Sequence, residues 1–388
     1  MGCRLLVIYA IIILIQLFIF SFFICFIPSL YALTFNNCLN NSNDFDGDEI
    51  PNNLEMNSRL LNDPFNFHSK SILEGSDYMT KDIFVELDYF ENHFPNTTGL
   101  AMITDSFKKS SLCNPSGIEG INLHFLISDR LKEDSQSMTI ECFPDNKTRD
   151  SDWSEYDSLK NTYFGTIEER NWDNKDLLDL KKSLYHYGII GHQFNNLEFS
   201  GCAKPSEMNF LVTLGADWWK HELGVNKDTG DTLSNADFEA AAIMHELGHT
   251  LGLKHGGGDS VQYKPNYISI MNYLFQMPYD SGFPDRPLDY SNCDLKLIRE
   301  NLVNESKGVQ GTCHSNFNRT SIGYNMEDGT IACDRVIVTE LNRPIDYNGN
   351  GKIENKPYTT NLNCDKGRNN ITALWGYNDW KNLDYLIH

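Results

Sequence analysis

The spacing of apolar and polar residues changes several times along this chain. An apolar run from Leu5 to Ile27 follows a single basic residue, Arg4. Residues 33 to 80 are polar, rich in Asn and Asp, and carry no periodic apolar pattern. Alternation of the strand type begins at KDIFVELDYF, residues 81–90. There Phe84, Glu86 and Asp88 share one face, and Val85, Leu87 and Tyr89 the other. GINLHFLI (120–127), SLYHYGIIGH (183–192) and NFLVTLG (209–215) read as further strands, with an edge strand around LEFSGC (197–202). GLAMITDSFKKS (99–110) and NKDLLDLKKSLY (174–185) have helical spacing. Past Val303 the chain is again polar and rich in Gly, Asn and Cys. The interleaving predicts an α+β fold on a mixed sheet. Its divisions are residues 1–32, 33–80, 81–303 and 304–388.

The strongest helical pattern is TLSNADFEAAAIMHELGHTLGL, residues 232–253. Ser234 and Asp237 stand in a capping-box arrangement, and three alanines favour the conformation. Ile243, Leu247 and Leu251 recur every four residues as a buried stripe, joined by Met244. His245 and His249 have the same spacing, so their imidazoles project from one face, one turn apart, and can reach a single tetrahedral cation. Glu246 is rotated away, where a general base belongs. Gly252 ends the helix and brings His255 back as a third ligand. Three neutral imidazoles leave one position open, which is the catalytic arrangement of zinc. The tetrapeptide HELG also occurs at His221–Gly224, but the fourth residue after that histidine is Val225. That copy reads as a solvated helix end. His186 and His192 share one face of a strand and read as core or edge residues.

Composition narrows the setting. The apolar start, followed by Ser29–Ala32, reads as a secretory signal or an uncleaved anchor. With Arg4 upstream of it, the remainder is expected outside the cell. Eight of the ten cysteines lie beyond that run, and none forms a C-x-x-C pair. Disulfides are expected rather than a cysteine metal site. A formal charge of −21 argues against nucleic acid as a partner. Two acidic loops suggest calcium. DFDGDEIPNNLE places Asp44, Asp46, Asp48 and Glu55 at positions 1, 3, 5 and 12 of an EF-hand-like frame, with Glu49 where Gly is usual. DYNGNGKIE offers Asp346, Asn348 and Asn350, with Gly351 in the sixth place.

The run His245-Glu246-x-x-His249-x-x-Gly252-x-x-His255 resembles the metzincin clan of zinc endopeptidases. Its expected occurrence by chance in one chain is on the order of one in ten thousand. YISIMNY is similar to the clan's methionine turn, with Ser269, Met271 and Tyr273 in the matching places. The resemblance implies a twisted mixed sheet, an active-site helix, a Met-turn with Met271 under the histidines, and a small C-terminal subdomain. By the same resemblance Tyr273 ligates zinc or stabilises the oxyanion, and CDLKLIRENLV (293–303) is a C-terminal helix. Gly256, after the third histidine, departs from the residues that mark the large subfamilies. The function implied is an extracellular zinc endopeptidase acting on proteins or peptides, with a membrane involved only through an N-terminal anchor. The alternative is a cell-surface calcium-binding interaction protein with a vestigial protease fold.

Overall fold

The computed structural model describes residues 42–59, 72–132, 138, 152–171, 175–194, 199–215, 235–277, 285–313, 317, 319–325, 331–363 and 371–386. The apolar run, the first HELG copy and Ser234 lie outside these residues. Among those described, no helix is long and apolar enough to cross a membrane.

The predicted strands form a five-stranded sheet. They are β1 (Asp82–Phe90), β2 (Asn122–Leu131), β3 (Tyr185–Gly191), β4 (Gly201–Lys204) and β5 (Asn209–Thr213), in the order β2-β1-β3-β5-β4. The β1–β2, β1–β3 and β3–β5 pairs are parallel, and β4 runs antiparallel to β5 at one edge. Parallel neighbours need long crossovers, and helices supply them. Helix α1 (Asn52–Arg59) precedes the sheet, and α2 (Thr97–Lys108) joins β1 to β2. Helices α3 (Ser154–Tyr163), α4 (Ile167–Arg170) and α5 (Lys175–Leu184) separate β2 from β3. Asn96 caps α2, its side chain accepting from the amides of Thr98 and Gly99.

Alternation along β1 suggested one polar face, but the strand is buried on both sides. Helices α3 to α5 cover the second face and neutralise its charge. Lys181 lies 2.7 Å from Glu86 and 2.7 Å from Glu169. Asp88 accepts the hydroxyl of Tyr187. On the opposite face β1 packs on α2 and on α6 (Asn235–Thr250), the helix of the histidine motif.

The helix expected over residues 293–303 does not form. Those residues make β6 (Cys293–Leu295), β7 (Ile298–Arg299) and a 3-10 turn, Glu300–Leu302. Cys293 is disulfide-bonded to Cys313 and β6 pairs with β8 (Gly311–Cys313), so strand pairing replaces the helix that the resemblance implied. Cys113 and Cys202 are disulfide-bonded too. A third apolar cluster gathers around β9 (Thr320–Asn325), β10 (Ile331–Val338) and β11 (Ala373–Leu374), and holds Val309, Ile322 and Leu374. The chain then returns to the main core, where Trp380 and Tyr385 join the cluster under α6.

Candidate metal and catalytic site

Helix α6 ends at Thr250, and Gly252 follows with φ +82°, a conformation glycine adopts without penalty. The reversal carries His255 back over the helix end. One ligand nitrogen from each of His245, His249 and His255 falls within 4.8 Å of the other two. Nε2 of His249 and Nε2 of His255 are 3.2 Å apart. Two imidazole nitrogens bound tetrahedrally at about 2.0–2.1 Å would be separated by roughly 3.3 Å, so the donors already have that spacing.

The remaining ring nitrogens are held by the protein. Nδ1 of His245 is 2.9 Å from the Ile270 carbonyl, and Nδ1 of His249 is 2.8 Å from that of Leu253. A carbonyl can only accept, which places the proton on Nδ1 and leaves the Nε2 lone pair for a cation. At His255 the contact is longer: the side-chain nitrogen of Gln262 lies 3.4 Å from Nδ1, and only with the amide flipped would its oxygen accept a proton there. Burial lowers all three histidines, with like-charge repulsion adding at His245 and His255, and His255 falls to about 3. The rings are therefore neutral at physiological pH, as metal ligands must be.

Glu246 is buried against the sheet edge. A Cβ on Gly201 of β4 would lie 2.8 Å from its Cγ, so only glycine lets the edge strand pass this close. Burial pushes the Glu246 carboxyl well up, and a nearby dication would oppose that shift. The Tyr273 ring stacks 4.3 Å from His255 and 5.7 Å from His245. Met271 is fully buried, and a Cβ on Gly248 would meet its sulfur at 2.3 Å. Methionine and helix thus touch where the helix has no side chain.

Several residues at this site were not singled out in the sequence. Besides Gly201 and Gly248 they include Asp379, which accepts from the Tyr267 hydroxyl at 2.8 Å, the Ser269 hydroxyl at 2.5 Å and the Ser291 amide at 2.8 Å. Ser269 in turn accepts the Met271 amide at 3.1 Å. Lys264, wholly buried, donates to the Gly256 and Trp375 carbonyls and to Asp259, fixing the glycine turn after His255. Asp379 lies more than a hundred residues from the motif, and no local spacing announces it. Gly248 was legible in principle, as the glycine inside an otherwise strong helix.

His186 is a core residue, bonded to Thr250 and to the Tyr385 carbonyl and lowered to about 4 by burial. The His192 ring lies 5.3 Å from that of His93, tilted to it, and His192 is not in the triad.

The two acidic loops differ. Asp44, Asp46 and Asp48 converge, and Asp48 and Glu55 converge with Asp82, a β1 residue outside the loop frame. Glu49 takes the left-handed conformation, φ +70°, at the position where the frame usually has Gly. In the second loop Asp346 accepts the amides of Asn350 and Gly351, while the side-chain amides of Asn348 and Asn350 donate to Glu354. Among the described residues, no group of three His, Cys, Asp or Glu that could hold a metal lies in that loop.

No family model matches this chain, and no curated protein matches it. Among solved structures it is similar to a zinc-dependent peptidase from Methanocorpusculum labreanum (strain Z), at 12% identity and a TM-score of 0.27. That match covers 48% of this chain and 87% of the other. A likeness this distant supports no functional statement, and the side chains must carry the assignment.

Proposed function

We propose that this protein is a zinc-dependent endopeptidase of the metzincin type, exported and acting on proteins or peptides outside the cell. The observation that carries the reading is the convergence of three Nε2 lone pairs beside a buried glutamate that is not a ligand. His245, His249 and His255 would hold the metal, the first two rings fixed through their other nitrogen. When bound, zinc supplies Lewis acidity and lowers the pKa of water toward 7. Glu246 accepts the proton of the attacking water and passes it to the departing amine. Tyr273, whose ring lies against two of the ligand rings, would donate its hydroxyl to the developing oxyanion. Strand β4 is a sheet edge that passes against Glu246, and an extended substrate adds to it by backbone hydrogen bonds. Met271 closes the floor of the site from within the core. The eight cysteines and the apolar start support export.

Glu246→Gln keeps size and shape but removes the base. The purified variant should retain one zinc per chain and lose casein hydrolysis by at least about a thousandfold. Full activity in a zinc-loaded E246Q protein would refute the role of Glu246 and with it the peptidase reading.

A further inference from the structure

The first acidic loop has features that the zinc reading leaves unexplained. Asp46 is 2% exposed and Asp48, Glu55 and Asp82 are at most 1% exposed, so four carboxyl groups are buried together. Neither carboxylate oxygen of Asp46 accepts a hydrogen bond. Burying a polar group without a partner is costly, and burying a charge costs more unless a cation or strong donors offset it. One ammonium is close by. Lys81 donates to the backbone carbonyl of Asp46 rather than to its carboxylate. Lys81, even with the His124 imidazole paired to Asp82, does not balance the carboxylates of Asp44, Asp46, Asp48, Glu55 and Asp82.

We infer that Asp44, Asp46, Asp48, Glu55 and Asp82 form one calcium site, and that the cation clips the N-terminal segment onto β1, an interior strand of the sheet. The ligand atoms fall into two groups that share Asp48, each spanning no more than 4.8 Å. Oxygens on opposite sides of a calcium ion bound at about 2.3–2.6 Å are roughly 5 Å apart, so each group has the span of a coordination sphere, and Asp48 belongs to both. Asp82 is the ligand that no loop frame supplies. It is oriented by His124 at 2.5 Å and by the Asp77 amide at 2.7 Å, and a carboxylate has lone pairs beyond those two contacts. Its own amide donates to Asp48 at 2.8 Å, so strand and loop are joined beside the cation. The loop also reaches the other end of the chain. Glu49 accepts the Leu386 amide at 2.8 Å, and Ile50 shares an apolar cluster with Leu386 and Tyr185. Calcium at this point ties together the N-terminal loop, β1 and the C-terminal tail.

The test uses the full chain carrying E246Q, zinc-loaded, in calcium-depleted buffer without chelator, so that zinc is unaffected and self-digestion is absent. Titration calorimetry with CaCl2 should show one site. A calcium concentration about a hundredfold above Kd should raise Tm by roughly 3–5 °C. D46N and D82N should weaken calcium binding by on the order of a hundredfold and abolish the shift, while D346N in the second loop changes neither. Without calcium, D46N should melt higher than its parent, because it removes a buried charge; with calcium the order should reverse. No heat and no shift with millimolar CaCl2 would overturn the site. Wild-type affinity in D82N would remove the strand from it. If D82N fails to fold, the reversal in D46N decides the matter. The zinc content is read in every sample, so loss of the calcium response leaves the peptidase reading untouched.

Discussion

Asp379 tests how the methionine turn is held. Its carboxyl is wholly buried and receives three donors, two of them hydroxyls that can rotate and one, the Ser291 amide, that cannot. An asparagine can present its oxygen where Ser269 and Ser291 donate, and its NH2 to the Tyr267 hydroxyl, which then accepts. Alanine leaves the amide without a partner and opens a void. An unsatisfied buried donor costs about 1–3 kcal/mol and the void adds to that, so D379A should be less stable than D379N by roughly 2–4 kcal/mol. The comparison is useful because both variants remove the ionisable group, and with it any effect of charge. That effect shows separately. Burial raises Asp379 to about 7, against hydrogen bonds that lower it. A carboxyl whose folded pKa is raised contributes fully below its unfolded value near 4, and its contribution is lost as pH rises toward 7. D379N should therefore gain on wild type between pH 4 and pH 7, by up to roughly 4 kcal/mol for a shift of about three pKa units. Urea unfolding at pH 4, 5.5 and 7 measures both effects, and metal content reports the turn: D379A should lose zinc, since the Ser269 hydroxyl that anchors the Met271 amide is released. Equal stability of D379A and D379N, or a difference from wild type that is flat with pH, would refute the reasoning.

Two further substitutions probe the supports of the site. Gly248→Ala gains about 1 kcal/mol of helix propensity but drives a methyl into the Met271 sulfur at 2.3 Å and against Tyr290 at 3.0 Å. Overpacking of this kind costs typically 1–3 kcal/mol, so the net should be destabilising with reduced zinc occupancy, and a G248A protein that melts above wild type would contradict the contact. Lys181→Met leaves Glu86 and Glu169 buried without their cation and should cost about 3–5 kcal/mol at pH 7. Burial already raises Glu86, and the deficit should shrink as the pH falls toward 4 and the carboxyl protonates in both states; denaturation curves showing the same deficit at both pH values would count against the ion pair.

The histidine triad could be read from the sequence because helix geometry is local: a four-residue spacing puts His245 and His249 on one face, and Gly252 is the residue that lets the chain reverse to His255. The strands were legible for the same reason, since an apolar run or a two-residue period reports on its own neighbours. Long-range pairing was not. The resemblance implied a helix over residues 293–303, but Cys293 bonds to Cys313 and β6 pairs with β8, which no window of ten residues contains. Strand β1 alternates as if half-exposed, and only the packing of α3 to α5 shows that Glu86 and Asp88 are inside. Asp82 and Asp379 are ordinary aspartates in the chain; what makes one converge with the acidic loop and the other hold the methionine turn is burial beside groups 34 and 110 residues away. Periodicity fixes which side of an element a residue occupies, because that is set by backbone torsions. Which partner it meets there depends on how distant elements close a common core, and the tertiary structure alone decides it.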